Sequence, residues 1–332
     1  MRPLRYLAAT VLFLVAVCSE PSALTIKLGS IAPPGSPWDE GLKKLANEWS
    51  EISNGQVSLK IYTGGVLGDE PDMVRKMRIG QLDAAGIVGS GLREIYSGVS
   101  AAWLPLSIRS EGEFKYVFDK MKPFFEEELE KRGFKVVMWI QVGWTYFFSR
   151  KPVLTPDDLR RQKLWVWSAE PAEIQAWKEA GFHVVSLPTT EVMVGLQSGM
   201  IDAVIASPLA AAFYQWFGVI PNMTDMRIAP IFGAVVISVK SWDRIPSDMR
   251  PQLLQAAQRA SLSMAGASIR TEGDAVNIMK TYGLSVHPIS PATKEEWNAM
   301  MRRFHRLGTL LDREAYEKVK FYLDEFHKND VN

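Results

Sequence analysis

Apolar and polar residues alternate over residues 24–29 and again at Val57, Leu59 and Ile61, which predicts two half-buried strands. Between them Trp38, Leu42, Leu45, Trp49 and Ile52 recur at spacings of four and three, one buried face of a helix. Ser36 is placed to cap that helix, Pro37 fits its first position, and Asp39 and Glu40 sit at the positive end of its dipole. Asn54-Gly55 stops it. A second helix follows Leu67-Gly68-Asp69 and ends at Gly80, and residues 83–88 form a third, more continuously apolar strand.

Strand, helix, strand, helix, strand predicts a parallel sheet covered by helices. Ligands of such open sheets sit beyond the carboxyl ends of the strands, here residues 31–38, 64–69 and 89–92. A charged helix over residues 111–132 buries Phe114, Val117, Phe118, Met121, Phe125 and Leu129. The extended run 134–148 is much longer than an ordinary strand and predicts one that serves two sheets.

After Thr155 the alternation starts again: strands at 164–167, 183–186 and 202–205, helices at 170–180 and 191–198. Gly80-Gln81-Leu82-Asp83-Ala84 has an echo in Gly199-Met200-Ile201-Asp202-Ala203, which suggests two similar lobes, although Gly-x-apolar-Asp is a common helix-to-strand junction. A helix at 208–217 and a strand at 234–240 returning to the first lobe come next. Residues 247–282 read as one helix on the order of 50 Å long, more than one lobe needs. Thr293 and Glu296 read as a capping box for the helices of the tail.

The expected fold is therefore α/β, in two interleaved lobes joined by crossing strands. The first lobe takes residues 24–147 plus 233–272, the second 148–232 plus 273–332, and the long helix spans both.

Composition narrows the function. Thirty-eight Lys and Arg against 37 Asp and Glu leave a net charge of +1, with no basic tract to serve as a nucleic-acid footprint. Arg2 and Arg5 ahead of an apolar run at 7–17 predict an export signal over residues 1–23. Cys18, the one cysteine, excludes an internal disulfide and leaves two fates open: cleavage near Ala23, or lipidation at Cys18. Either fate puts the protein in the periplasm, free or anchored. The four histidines lack metal-ligand spacing, Gly64-Gly65 is a strand-end turn rather than a phosphate loop, and no paired carboxylates form a recognisable motif. No enzyme, metal or cofactor is expected.

Several segments in order carry a resemblance to a known family: Leu67-Gly68-Asp69-Glu70, the Gly80 to Ala84 junction, Leu104-Pro105, Thr155-Pro156-Asp157-Asp158-Leu159, Lys163-Leu164-Trp165-Val166, Gly195-Leu196-Gln197-Ser198-Gly199, Ile201 to Val204, and the long helix after Trp242. Together they resemble the substrate-binding subunits of TRAP transporters, the DctP-type family. The resemblance implies a two-lobed fold like that of periplasmic binding proteins, with crossing strands and a long bracing helix. It also implies an extracytoplasmic receptor that closes over one ligand and delivers it to a membrane permease driven by an ion gradient. Some members of the family also work beside a helical-repeat periplasmic protein.

Two departures bear on the ligand. Carboxylate-binding members carry an arginine, a two-pronged donor matched to a carboxylate, where this chain has Trp165, and often a second where it has Thr145. Arg150 and Arg160 read as solvated. A cleft of rings without those guanidinium groups suits a hydrophobic or amphipathic ligand. The expected lining is Trp165, Trp144, Tyr146, Trp167, Thr189 and Ser207, then Trp38, Trp103 and Phe213, with most of the 11 tryptophans in ordinary core. Two alternatives stay open: a carboxylate receptor with a non-standard cation such as Arg93, and a ligand-sensing surface lipoprotein uncoupled from transport.

Overall fold

The computed structural model describes residues 23–166, 171–302 and 312–330. In chain order the strands are β1 (Leu24–Ser30), β2 (Val57–Tyr62), β3 (Ala84–Ile87), β4 (Phe134–Trp144), β5 (Tyr146–Ser149), β6 (Lys163–Val166), β7 (His183–Ser186), β8 (Ala203–Ala206), β9 (Asn222–Asp225), β10 (Pro230–Ser238) and β11 (Ser285–Pro288). They form two sheets, β2-β1-β3-β10-β4 and β11-β9-β5-β8-β6-β7. In each, the restart after Thr155 is visible: β1 lies parallel between β2 and β3, and β6 parallel between β7 and β8.

The echo between the lobes has a physical basis. Gly80 and Gly199 both adopt a left-handed φ, 73° and 71°, to end a helix. Asp83 then accepts a hydrogen bond from the N–H of Lys27 (2.9 Å), and Asp202 from that of Lys163 (3.3 Å). In each lobe the aspartate ties the start of its own strand to the neighbouring parallel one.

The long run at 134–148 does serve two sheets, dividing at Thr145 between β4 and β5. The return crossing, residues 226–229, runs beside it. Thr145 donates its N–H to the Ala229 carbonyl (2.9 Å) and accepts that of Ile228 (2.9 Å). Its hydroxyl both donates to the Ala229 carbonyl and accepts the Ala229 N–H, each at 3.1 Å. The third link is the helix Arg250–Thr281, unbroken over 32 residues. Trp49 donates its indole N–H to the Leu253 carbonyl (3.1 Å), and Met264 packs with the first lobe. Met279, near its other end, is buried in the second lobe.

Each sheet has apolar packing on both faces. Phe114, Phe118, Phe125 and Phe232 fill one side of the first sheet, Leu42, Trp49 and Val235 the other. Phe147, Trp177 and Trp297 fill one side of the second, Trp165, Leu196 and Trp216 the other.

Three expectations change. The helix Pro291–Met301 is capped by Ser290, whose hydroxyl accepts the Thr293 N–H (3.1 Å), so Thr293 lies inside it; Pro291 then occupies the first helical position, where its missing N–H costs nothing. The helix at 208 stops at Phe213, because Gln215 turns left-handed (φ 58°). The last helix, Arg313–Asp330, lies on the helix Glu111–Lys131 of the first lobe, so residues 273–332 do not all belong with the second. Its Ala315 and Val319 complete the cluster around Phe114, an apolar stripe that would otherwise face water.

Candidate ligand site

The carboxyl ends of β1, β3, β6 and β8 face one another across the crossing strands, and two cavities lie between the lobes. The larger, about 120 Å³, is walled by Trp103, Leu104, Pro105, Val166, Trp177, Ile205, Ile228 and Ile231. Its polar groups are Arg93, Ser100, Thr145 and Glu173. Trp103 is held flat by stacking on Phe232, 4.5 Å between ring centroids. The smaller cavity, about 70 Å³, reaches Trp38, Glu70, Thr189, Ser207 and Tyr214. Ile231, on the returning strand, borders both.

Polar contacts join the lobes around these spaces. The Arg93 guanidinium pairs with the Glu173 carboxylate beside the larger cavity. Thr189 donates its N–H to Asp69 (3.0 Å), and the Tyr214 hydroxyl donates to the Ile31 carbonyl (2.7 Å). Asp69 also caps the helix that follows it, so one carboxylate both starts that helix and meets the opposite lobe. The two lobes are in contact across the cleft, a closed arrangement.

Trp165 is not among the residues that border either cavity. Its side chain is 0% exposed, its indole N–H donates to the Leu187 carbonyl (3.0 Å), and its ring meets Trp216 edge-on at 5.6 Å. Trp216 in turn stacks on Tyr214 at 4.9 Å. Trp165 therefore stands one layer behind the wall, and the neighbouring Val166 borders the larger space. Strand alternation explains the swap: successive side chains leave opposite faces, and Trp165 shares its face with the Trp216 cluster.

The other expected residues divide. Trp103 borders the larger cavity, and Trp38, Thr189 and Ser207 the smaller. Trp38 is oriented by an indole N–H bond to the Ser268 hydroxyl (3.1 Å), and the Ser207 hydroxyl is spent capping a helix at the Ala210 N–H (3.1 Å). Phe213 is 37% exposed and borders neither cavity. Trp167 and Cys18 lie outside the described residues. Val166, Trp177, Ser100, Glu173 and Ile231 escape sequence reasoning, and nothing marks Ser100. Among the described residues no group of three or more acidic, His or Cys side chains is arranged to hold a metal.

Trp144 and Tyr146 belong instead to a polar cluster at the hinge. The Trp144 indole N–H donates to Glu111, and Arg227 lies 5.1 Å above its ring and bonds to the Tyr146 hydroxyl. Glu272 of the long helix faces the same group; burial, with Glu111 nearby, pushes its carboxyl up to about 7 although Arg227 opposes this. Gly143 is favoured there by its φ of +135°, which other residues rarely adopt, and a Cβ would also push on the Glu272 Oε2 at 2.6 Å. The cluster thus gathers both crossing strands and the long helix. At the smaller cavity, burial likewise pushes Glu70 up to about 7, against hydrogen bonds from Val88, Gly91 and Ser90.

Comparison with known proteins agrees with this architecture. Residues 28–308 match the model of the DctP family, described as bacterial extracellular solute-binding protein, family 7. A solute-binding protein of Albidiferax ferrireducens is 26% identical over 310 residues, 90% of this chain and 89% of that one. The sialic acid-binding periplasmic protein SiaP of Vibrio cholerae is 24% identical over 319 residues, 92% of this chain and 95% of that one. The sugar acid binding protein DctPAm of Advenella mimigardefordensis, solved with galactonate, superposes with a TM-score of 0.86 at 18% identity, over 92% of this chain and 99% of that one. With the two sheets, the crossing strands and the family match over most of its length, the chain belongs to the DctP family, the substrate-binding proteins of TRAP transporters.

Proposed function

We propose that this chain is the extracytoplasmic receptor of an ion-gradient-driven TRAP transporter, and that it captures a small hydrophobic or amphipathic solute in the larger inter-lobe cavity for delivery to the membrane permease. One observation carries the ligand class. The cavity walls are aliphatic and aromatic, and the two charged groups that border them, Arg93 and Glu173, are paired with each other. An apolar body gains there by leaving water and meets no unpaired charge. Thr189, Ser207 and Trp38 would then shape the adjoining smaller space, with Trp165 supporting its Tyr214 wall through Trp216.

A second reading is favoured by Arg93 itself. SiaP is named for sialic acid and DctPAm was solved with galactonate, both acids. A ligand carboxylate that takes the place of Glu173 on Arg93 would make this chain an acid receptor with a non-standard cation.

Calorimetric titration with cyclopentanol, cyclopentanecarboxylate and galactonate, on the natural protein and on Arg93→Gln, separates the two. The first reading expects cyclopentanol to bind with an affinity that Arg93→Gln leaves within about twofold. The second expects cyclopentanecarboxylate or galactonate to bind best and to weaken at least roughly tenfold in the variant, the loss of a charge-assisted hydrogen bond. Galactonate binding that survives Arg93→Gln would contradict both.

A further inference from the structure

Ser100 lies in the short 3-10 helix Ser97–Trp103, which forms the first-lobe side of the larger cavity. It is 4% exposed, and its hydroxyl oxygen has no hydrogen-bond partner. A serine on a helical turn commonly bonds back to a carbonyl one turn earlier, and this one does not. Leaving such a group dry carries a penalty equivalent to roughly 5- to 150-fold in an equilibrium constant.

The other polar groups around the cavity do not relieve it. The Thr145 hydroxyl is committed twice to Ala229, and Arg93 and Glu173 face each other. A buried water needs about two to four polar partners, and apart from Ser100, Thr145 and the Arg93–Glu173 pair the side chains around the space are apolar, Trp103, Leu104, Ile228 and Ile231 among them. At about 120 Å³ the space approaches the roughly 150 Å³ of a dry apolar cavity that admits benzene, so a single small ring fits it.

We propose that Ser100 is the specificity-determining residue of this site, and that the ligand is a ring-sized apolar body carrying one neutral oxygen, a hydroxyl or carbonyl, that pairs with the Ser100 hydroxyl. The inference rests on the larger cavity being the ligand site. It adds that the cavity selects among apolar solutes by a single hydrogen bond, with charge playing no part. Apolar walls set the affinity, and Ser100 sets which atom of the ligand faces the first lobe.

The test uses cyclopentanol and methylcyclopentane, matched in shape and differing in the hydroxyl, on the full mature chain and on Ser100→Ala, with tryptophan fluorescence as the readout since Trp103 and Trp177 border the cavity. Ser100→Ala is expected to weaken cyclopentanol roughly 3- to 12-fold, and to leave methylcyclopentane unchanged or bound more tightly. The unliganded variant is expected to melt no lower than the natural protein, because the hydroxyl it removes bonds to nothing; a serine with a structural role would lower the melting temperature. If Ser100→Ala shifts both probes alike, or neither, the role given to Ser100 is wrong while the apolar reading stands. If neither probe binds the natural protein, both fall.

Discussion

Trp165→Ala is expected to cost about 3–5 kcal/mol of unfolding free energy, the range for truncating a fully buried tryptophan. The side chain is 0% exposed, and its removal empties the space between Val185, Leu196 and Trp216. It also strands the Leu187 carbonyl that accepts the indole N–H. Urea denaturation measures the loss. The effect on ligand binding should be smaller and indirect, through Trp216 to the stacked Tyr214 ring that borders the smaller cavity. The opposite pattern, unchanged stability with ligand affinity abolished, would mean that Trp165 faces the ligand after all. Trp165→Arg, which installs the residue that the resemblance implies for carboxylate-binding members, should fold poorly, because the guanidinium charge would be buried in an apolar cluster.

The second large effect is a fall in stability as pH rises through neutrality. Glu272 and Glu70 are both held well above their ordinary value of 4.5, to about 7, with burial as the main cause. Each carboxyl binds its proton more tightly folded than unfolded. Its contribution is therefore complete below about pH 4.5 and is lost as pH climbs through about 7. For Glu272 the change is on the order of 2–3 kcal/mol. Glu272→Gln removes that titration while keeping an oxygen to accept the Trp144 backbone N–H, which bonds to Glu272. The variant should match the natural protein near pH 5 and exceed it near pH 8, leaving the slope that Glu70 supplies. Urea unfolding at the two pH values checks this, and an undiminished loss between them in the variant would rule out Glu272 as a source. Glu272 sits where both crossing strands and the long helix meet, so its ionisation loads the hinge rather than either lobe.

Much of the fold was legible because the elements differ in period. The helix Pro37–Ile52, its Ser36 cap and the parallel order of the first strands follow from spacing alone. The crossing at 134–148 was legible from length, since an eleven-residue β4 followed at once by β5 exceeds what one sheet uses. Where the sequence misled, several competing local signals were available. Thr293 and Ser290 both suit a helix start, and Pro291 decides between them. The final helix docks on the first lobe through Ala315 and Val319, a long-range choice that no local pattern encodes.

The site was less legible, for a reason of geometry. Position 165 drew notice because a tryptophan stands where the resemblance implies an arginine in carboxylate-binding members, and the two side chains need not point alike. A ring of that size fills the apolar side of the sheet and leaves its neighbour Val166 at the cavity. Trp103 was among the rings expected to line a cleft, whereas Ser100 and Ile231 matter only through what lies opposite them in space.

The most direct test of the ligand class is mass spectrometry of the small molecules released when freshly purified protein is denatured. The account predicts a near-stoichiometric compound with a compact apolar body and a neutral hydroxyl or carbonyl. A sugar acid or dicarboxylate released in that amount would contradict it, and would place the ligand's carboxylate on Arg93.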